Sequence, residues 1–416
     1  MQYGCIGERL GHSFSAQIHG MLGNSHYELC ELPPASLPKF LQKKDFRGIN
    51  VTIPYKEAVI PFLDSLDERA AAIGAVNTIL REGDRLKGYN TDFYGMEELI
   101  RRLGVPVRGL TAAVLGTGGS SKTARAVLQH MGAEKVLRVS RRPSEEDEIS
   151  YEELSRRAAD IGFLVNTTPV GMYPASDASP LSLAAFPALK GVADAVYNPL
   201  CTNLVLEARS RGIPSSGGLY MLVAQAAMAA SLFFSDKSLI DKTGPVYEQL
   251  LAQRRNIVLI GMPGSGKTSV GQALAARLSR PFTDSDEEFV KEAASPIPAY
   301  FEQYGEASFR EAESRILQRL SGETGLVLAT GGGAILREEN VRALRRNGLI
   351  FFLDRNPARI EPTEDRPLSR DRTALEARYR ERYPLYCRAA DQIIAADGSV
   401  EEVTESILAA LETAQK

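Results

Sequence analysis

The chain of 416 residues lacks the features that mark several large classes of protein. Its four cysteines are far apart in sequence and form no Cys-x-x-Cys pair and no cluster with histidine, so we expect neither a zinc site nor a disulfide framework. A formal net charge of −3 at pH 7 offers no basic excess for a nucleic-acid partner. These absences favour a cytoplasmic protein that does not bind nucleic acid.

Long apolar runs are also missing. The most apolar stretch, residues 219–234, is shorter than the ~20 residues that span a bilayer, and it contains Gln225. We interpret it as a buried helix. The first residues lack the basic and apolar regions of a signal peptide, so we expect no membrane partner and no export.

Length and pattern together predict a protein of several domains. At roughly 100–200 residues per domain, a chain of this length forms two or three. Short apolar runs alternate with helical patterns, which predicts α/β domains with parallel sheets and helices on both faces. The pattern restarts near residue 256, after a polar, helix-like segment, so we place a boundary there. The expected strands include residues 112–115, 136–139, 163–165, 191–196 and 256–260.

A complete phosphate-binding motif lies in the second half of the chain. Residues 261–268 match G-x-x-x-x-G-K-[ST] between an expected strand and an expected helix. In such a loop, backbone N–H groups surround phosphate oxygens, Lys267 would reach the β- and γ-phosphates, and the Thr268 hydroxyl would bind Mg²⁺. A glycine-rich turn beside a lysine is the structural alternative. The residues expected to bind ATP are Gly264, Ser265, Gly266, Lys267 and Thr268.

Polar groups follow this loop. Asp284 and Asp286 alternate at an expected strand end, so both would point the same way, one towards a metal ion and the other towards a nucleophile. The alternative is an N-cap of the next helix. Arg310 and Glu313 lie three residues apart on an expected helix, where a surface ion pair is the alternative. Residues 327–329 form an expected strand that ends in three glycines, which would let a ligand approach the backbone closely.

Residues 256–416 resemble shikimate kinase. The resemblance implies a P-loop kinase fold with a parallel sheet, which phosphorylates shikimate with ATP and Mg²⁺. The groups that carry it, besides the phosphate loop, are Asp284-Ser285-Asp286, Phe309-Arg310, Gly331-Gly332-Gly333, Arg366-Pro367-Leu368, and Arg382 before Leu385-Tyr386.

The resemblance to shikimate kinase also implies roles for single residues. Asp286 would orient or deprotonate the attacking hydroxyl, and Asp284 would help Thr268 to hold the metal ion. Arg366 would stabilise the transferring phosphoryl group from a closing lid, and Arg359 would stack on adenine. The residues implied to bind the substrate carboxylate and ring are Arg310, Gly332, Gly333 and Arg382.

A second glycine loop lies in the first half, at residues 116–121, again after an expected strand. The dinucleotide-binding motif G-x-G-x-x-G would need glycine where Ser121 stands, so the motif alone is weak and its context supports it. NAD-binding proteins place an acidic residue after the second strand. Ser140, Arg141 and Arg142 stand there instead, which favours the 2′-phosphate of NADP over a merely solvated basic turn.

Further polar clusters precede and follow this loop, and together they resemble shikimate dehydrogenase across residues 1–250. Taken singly, Ser13, Ser15 and Asp92 could be helix caps and Lys56 a surface lysine. The segments that carry the resemblance are residues 11–15, 50–56, 75–78, 88–92, 166–169, 194–197 and 217–225.

This second resemblance implies an NADP-dependent shikimate dehydrogenase. Lys56 and Asp92 would form the catalytic pair. The residues implied to bind substrate are Ser13, Ser15, Thr52, Asn77 and Gln225. Those implied to bind NADP(H) are Gly116, Gly118, Gly119, Ser140, Arg141, Tyr197 and Gly218.

The two resemblances predict a bifunctional enzyme of the shikimate pathway, a monomer or a homodimer. Its expected parts are a substrate-binding domain (residues 1–95 and 219–250), a Rossmann NADP-binding domain (96–218) and a P-loop kinase domain (256–416). Oxidation of quinate is an alternative activity for the first half. A ligand-sensing regulator that has lost catalysis is the alternative from another class.

Overall fold

The computed structural model describes residues 1–11, 14–360 and 372–413. It divides into two compact units, Met1–Leu250 and Leu251–Lys416. Two of the three sheets belong to the first unit and one belongs to the second. In the described part of the chain, every helix is too short or too polar to cross a membrane.

The first sheet has the strand order β2-β1-β3-β5-β6-β4. Strand β1 runs parallel to β2 and β3, whereas β5 is antiparallel to both β3 and β6. A linker of two residues joins β5 to β6, and a linker so short can only build an antiparallel hairpin. The strands are β1 (Tyr3–Gly7), β2 (Tyr27–Glu31), β3 (Gly48–Val51), β4 (Ser65–Leu66), β5 (Thr78–Glu82) and β6 (Arg85–Tyr89).

The second sheet is parallel and has the order β12-β11-β10-β7-β8-β9. The chain builds outwards from β7 to β9 and then returns to β10, so the strand order reverses between β7 and β10, as in doubly wound folds. The strands predicted from apolar runs at 112–115, 136–139 and 163–165 are confirmed. The strands are β7 (Thr111–Leu115), β8 (Lys135–Ser140), β9 (Glu148–Ser150), β10 (Ile161–Asn166), β11 (Gly191–Asp194) and β12 (Ser215–Ser216).

One predicted strand is shorter than expected. Strand β11 ends at Asp194, two residues before the predicted end. The Asp194 carboxylate accepts a hydrogen bond from the Val196 N–H at 3.0 Å, which bends the chain out of the sheet. Asp and Asn side chains commonly compete with the strand ladder in this way.

The third sheet is also parallel, with the order β14-β15-β13-β16-β17. Its central strand is buried along its whole length, as in sheets covered by helices on both faces. The predicted strands at 256–260 and 327–329 are confirmed. The strands are β13 (Asn256–Ile260), β14 (Phe282–Asp284), β15 (Val327–Ala329), β16 (Gly348–Asp354) and β17 (Gln392–Ala395).

Helices cover these sheets. Those of the first unit are α1 (Ser15–Met21), α2 (Leu37–Lys43), α3 (Tyr55–Ala58), α4 (Glu68–Ile73), α5 (Thr91–Arg102), α6 (Gly119–His130), α7 (Tyr151–Arg156), α8 (Asn203–Ser210), α9 (Leu219–Phe234) and α10 (Thr243–Arg254), whose last residues pass into the second unit. Those of the second unit are α11 (Lys267–Leu278), α12 (Ser285–Ala293), α13 (Ile297–Ser321), α14 (Glu338–Asn347), α15 (Arg372–Ala389) and α16 (Val400–Thr413).

Helix α9 confirms the buried helix predicted at residues 219–234. Its alanine-rich sequence lets α5 approach closely, and the contact is tightest at Gly95 of α5. A Cβ on Gly95 would lie 2.6 Å from the carbonyl oxygen of Met221 and 3.0 Å from the Cβ of Gln225. The spacing of α5 and α9 therefore depends on the absence of a side chain at this position.

We expect Gly95→Ala to lower the free energy of unfolding by about 1–3 kcal/mol, because the added methyl group overpacks the α5–α9 contact. Urea titration followed by circular dichroism measures the change, and hydrogen exchange of α5 and α9 amides localises it. Gly20→Ala in α1 is the matched control, since a Cβ there meets no atom within 4 Å. An unfolding midpoint for Gly95→Ala equal to that of the control would contradict the packing argument.

Candidate active sites

A lysine–carboxylate pair lies in the first unit where α3 meets α5. Lys56 Nζ is 2.5 Å from Asp92 Oδ2, and the two side chains are 18% and 9% exposed. The sequence left open that Lys56 is a surface lysine and Asp92 a helix cap, and both alternatives are wrong. Lys56 is not a solvated surface lysine, and Asn90, not Asp92, caps α5. Asp92 stands in the first turn of α5, where the helix dipole favours a negative charge.

Buried amide and hydroxyl groups surround the residue before Asp92. Asn77 Nδ2 donates to Thr91 Oγ1 at 3.0 Å and to Gln225 Oε1 at 3.4 Å. Thr91 also donates to Gln225 Oε1, at 3.4 Å. The structure thus brings Asn77 and Gln225 together over 148 residues of sequence. Sequence analysis did not assign Thr91 a role, although its neighbour Asp92 was a signal.

Two further residues predicted to bind substrate lie at the end of β3 and at the start of α1. Thr52 directly follows β3, and its backbone N–H donates to the Ile6 carbonyl at 3.0 Å. Ser15 is the first residue of α1. Ser13 lies outside the described residues.

A cleft of about 1160 Å³ opens beside Lys56, along the end of β7. It fits a dinucleotide, because α6 begins at Gly119 without a side-chain cap, which leaves N–H groups for an anion. Gly116 has a φ of +106°, and a Cβ there would lie 2.9 Å from Thr167 Oγ1. The lining residues predicted to bind cofactor are Gly116, Gly118, Gly119, Ser140 and Arg141.

The departure from the dinucleotide motif at Ser121 has a packing explanation. Ser121 lies inside α6 and is fully buried. The third glycine of the motif serves close packing of helix against strand, and serine is small enough for the same place.

The far end of the cleft is basic. Ser140 ends β8, and its Oγ accepts from the backbone N–H of Arg142 at 3.1 Å. The side chains of Arg141 and Arg142 are exposed and line the cleft. Such a group suits a phosphate on the ribose.

Two sequence motifs meet at the buried carboxylate of Asp194. Its oxygens accept from Asn166 Nδ2 at 2.9 Å, Thr202 Oγ1 at 2.6 Å and the Val196 N–H. Burial raises the pKa of Asp194 to about 6, against the lowering effect of these three donors. The carboxylate therefore joins the loop after β10 to the loop after β11.

The loop after β11 carries Tyr197 and packs on Gly218. The Tyr197 ring lies 5.3 Å from the ring of Phe14, and burial raises the pKa of its hydroxyl. Gly218 precedes α9, and a Cβ there would lie 2.2 Å from the Ala195 carbonyl oxygen. Only glycine fits this place without moving the loop.

We expect Asp194→Asn to remove a pH dependence of stability. The raised pKa means that Asp194 contributes most stability below its unfolded-state pKa, where it is protonated in both states, and that this contribution is lost as pH rises through about 6. Wild type should therefore gain about 1–2 kcal/mol over the variant between pH 7.5 and pH 5. Urea titrations at both pH values measure this difference.

The control for this experiment is Asp160→Asn, at an exposed position of the same unit. It should keep a constant difference from wild type at the two pH values. If Asp194→Asn behaves in the same way as this control, the carboxyl group does not carry the pH dependence.

The phosphate loop of the second unit joins β13 to α11. Lys267 is buried, and its Nζ donates to the carbonyl oxygens of Gly261 at 3.0 Å and Met262 at 2.9 Å. Gly266 has a φ of +92° and leads into α11. The loop fits a polyphosphate, since α11 begins without a side-chain cap and Lys267 is held at its start. Gly264 also adopts a positive φ, and Ser265 is buried beside Gly261.

Thr268 and Asp284 form a small oxygen site. Thr268 Oγ1 donates to Asp284 Oδ2 at 2.8 Å. The pair suits Mg²⁺, which proteins usually hold through one or two oxygens together with substrate phosphates. No cluster of three or more His, Cys, Asp or Glu side chains suited to a metal ion is found among the described residues.

The expected placing of Asp286 at a strand end is wrong. Strand β14 stops at Asp284, which caps α12 by accepting the Asp286 N–H at 2.9 Å. Asp286 therefore stands in the first turn of α12, where acidic residues stabilise a helix. Desolvation raises the pKa of Asp286 to about 6, and the nearby charges of Asp284 and Glu313 act in the same direction, while Lys267 and Arg310 oppose them.

The two arginines predicted to bind carboxylate meet at the glycines after β15. A Cβ on Gly333 would lie 2.0 Å from Arg310 Nη1, and Arg382 Nη1 donates to the Gly332 carbonyl at 3.0 Å. Arg310 pairs with Glu313 at 2.8 Å, and their side chains are 11% and 3% exposed, so this is not a surface ion pair. The buried partner Glu313 was not assigned a role from the sequence.

Arg359 lies on an exposed turn, where its Nη1 donates to the Asp397 carbonyl at 2.6 Å. Arg355, which the sequence did not single out, has a buried Nε without a hydrogen-bond partner and lies 3.8 Å from where a Cβ on Gly266 would stand. Arg366 lies outside the described residues.

The fold and sites together define a nucleotide-dependent oxidoreductase in the first unit and a P-loop phosphotransferase in the second. A family model for the shikimate dehydrogenase substrate binding domain matches residues 5–79, and a model for shikimate kinase matches residues 263–412. The chain belongs to the shikimate dehydrogenase family and contains a shikimate kinase domain later in its sequence. It is a bifunctional enzyme of the shikimate pathway.

Curated relatives and solved structures agree with this assignment. The shikimate dehydrogenase (NADP(+)) of Clostridium beijerinckii is 37% identical over 247 residues, which cover 56% of this chain and 91% of that protein. Shikimate dehydrogenase 1 of Peptoclostridium difficile is 34% identical, with a TM-score of 0.54 over 60% of this chain and 98% of that one. The Thermus thermophilus enzyme, solved with NADP(H) and shikimate, is 32% identical, with a TM-score of 0.52 over 59% and 99%.

Proposed function

We propose that the first unit reduces the C3 ketone of 3-dehydroshikimate to shikimate with NADPH, and that the second unit phosphorylates the resulting C3 hydroxyl with ATP. The observation that carries the first reaction is the Lys56–Asp92 pair, because Lys56 lines the same cleft as the uncapped start of α6. The observation that carries the second is the phosphate loop beside the Thr268–Asp284 pair.

In the first reaction the protein has to supply a proton. Bound NADPH would supply a hydride to the C3 carbon, and the carbonyl oxygen, which takes the electron pair of the broken π bond, then needs a proton and stabilisation of its developing negative charge. The Lys56 ammonium serves both purposes, as general acid and as electrostatic stabiliser. Asp92 accepts from Lys56 and fixes its direction. This role is supported by the 2.5 Å contact and by the low exposure of both groups.

The remaining groups of this site bind and orient. We assign the substrate carboxylate to Ser13 and Ser15, and the ring hydroxyls to Thr52, Asn77 and Gln225. The buried Asn77–Thr91–Gln225 network supports this assignment, since buried amides hold fixed hydrogen-bond directions. The residues assigned to NADP(H) are Gly116, Gly118, Gly119, Ser140, Arg141, Tyr197 and Gly218.

In the second reaction the chain positions two anions. ATP with Mg²⁺ supplies the phosphoryl group and partly neutralises its charge. Lys267 and the loop N–H groups would bind the phosphates, and Thr268 and Asp284 would hold the metal ion. Arg366 would stabilise the transferring phosphoryl group, and Arg359 would stack on adenine. Asp286 accepts the proton of the attacking hydroxyl, which its raised pKa favours. The groups assigned to shikimate are Arg310, Gly332, Gly333 and Arg382.

The proposal includes the domain assignment: residues 1–95 with 219–250 bind the dehydrogenase substrate, 96–218 bind NADP, and 256–416 form the kinase. It also includes a cytoplasmic location and a monomeric or homodimeric state.

A coupled assay tests the whole proposal. The purified chain receives 3-dehydroshikimate, NADPH, ATP and Mg²⁺, and mass spectrometry identifies the products. We expect shikimate 3-phosphate with consumption of NADPH. Accumulation of shikimate alone would contradict the kinase assignment, and binding of both ligands without any product would favour the sensing regulator.

Reciprocal variants test the two lysines. Lys56→Ala should lower the reduction rate by ~10²–10⁴-fold, because the reaction loses its general acid, yet leave phosphorylation of added shikimate intact. Lys267→Ala should abolish phosphorylation and let shikimate accumulate. Steady-state rates of each half-reaction measure both effects.

Matched controls exist in each unit. Lys122→Ala and Lys291→Ala remove a half-buried and an exposed lysine that pair with Glu57 and Glu288, and both should keep wild-type rates. Near-wild-type reduction by a folded Lys56→Ala enzyme would exclude Lys56 as the proton donor.

A further inference from the structure

A buried arginine lies on the strand that leads to the basic end of the proposed NADP cleft. Arg138 lies on β8, two residues before Ser140, and its side chain is 3% exposed. Its guanidinium pairs with Glu148, with Glu145 at 2.9 Å and with Asp147 at 3.5 Å. A single buried cation therefore binds three carboxylates from one short segment of the chain.

These contacts close the segment that joins β8 to β9. One oxygen of Glu148 pairs with Arg138, and the other accepts from the Ser144 N–H at 2.9 Å and from its hydroxyl at 3.3 Å. The pKa of Glu148 lies below its usual value because of the Ser144 N–H and, in addition, the charge of Arg138. Arg125 of α6 pairs with Asp147 at 2.5 Å. The segment is thus tied to β8 and α6.

The charge of this segment poses a problem for NADP. Residues 141–148 carry two arginines and four carboxylates, a formal sum of −2. A 2′-phosphate is itself an anion, so such a segment would repel it unless the carboxylates were neutralised. Arg138 and Arg125 add two positive charges from outside the segment, which brings the sum to zero.

The arrangement also keeps the phosphate-facing cations unpaired. Arg141 and Arg142 form no ion pair with any residue in the described part of the chain. Of the four carboxylates that follow them in this segment, Arg138 binds all but that of Glu146. Without that cation, the same carboxylates would be the nearest partners for Arg141 and Arg142.

We propose that Arg138 is a positioning residue for NADP recognition. By binding Glu145, Asp147 and Glu148, it fixes the segment and leaves Arg141 and Arg142 free for the 2′-phosphate. The inference rests on the proposed use of NADPH. It explains how an acid-rich segment can serve a phosphorylated cofactor.

Calorimetric binding to the full chain tests this role with two probes, adenosine 2′,5′-bisphosphate and 5′-AMP. Arg138→Met should weaken the bisphosphate about tenfold and leave 5′-AMP unchanged, since only the first probe carries the 2′-phosphate. In kinetics, the KM for NADPH should rise by a similar factor, while kcat and the KM for 3-dehydroshikimate stay within about twofold.

Removal of Arg138 leaves Glu148 buried without its cation, and this could unfold the unit. The double variant Arg138→Met with Glu148→Leu replaces the pair by apolar groups, so no uncompensated charge is left buried. Because it also loses the link from Glu148 to Ser144, the segment is still released from β8. It should show the same selective loss of bisphosphate binding. Arg157→Met, which removes an ion pair with Glu153 on α7, is the control without effect.

The outcomes separate the inference from the proposed function. Equal weakening of both probes, or of neither, in a folded double variant would overturn the role of Arg138. Wild-type protein that binds the bisphosphate no better than 5′-AMP and reduces 3-dehydroshikimate with NADH would instead overturn the use of NADPH.

Discussion

Both units depend on the fact that parallel strands end at a common edge of their sheet. In the second sheet, the loops after β7, β8 and β10 line one cleft with the glycine loop and the basic end, and Asp194 ties the loop after β11 to the loop after β10. In the third sheet, the loops after β13, β14 and β15 do the same for the phosphate loop, Asp284 and the three glycines. Residues far apart in sequence meet because the loops that follow neighbouring parallel strands lie at the same edge of the sheet.

The two nucleotide sites share one device and differ in another. In both, a glycine precedes a helix that has no side-chain cap, so backbone N–H groups remain for phosphate. The kinase site adds Lys267, which is buried and already bonded to two loop carbonyls, so little freedom is lost when phosphate arrives. The proposed NADP site has exposed Arg141 instead, and on our proposal Arg138 fixes the segment that carries it.

Much of the fold followed from local pattern, whereas several contacts of the sites did not. Apolar runs between turn residues predicted β7, β8, β13 and the helix at 219–234. This was possible because the apolar pattern that indicates a buried element is contained in the segment itself. The Arg138–Glu148 pair depends on the register of β8 against β9. No single segment encodes that register. Likewise, the sequence could not distinguish a surface Arg310–Glu313 pair from a buried one, since helical spacing is the same in both cases.

The two proposed shikimate sites differ in a way that suits their order of action. The first would hold the carboxylate by serine hydroxyls and the ring by Asn77 and Gln225, which are neutral groups. The second would hold the carboxylate by Arg310 and Arg382, and a guanidinium adds its own positive charge and a bidentate geometry to such hydrogen bonds, which strengthens them beyond those of a hydroxyl donor. A site that must release shikimate benefits from the weaker set, and a site that must capture it from dilute solution benefits from the stronger. On these assignments the same carboxylate would be recognised twice, by ligands whose strength rises along the reaction sequence.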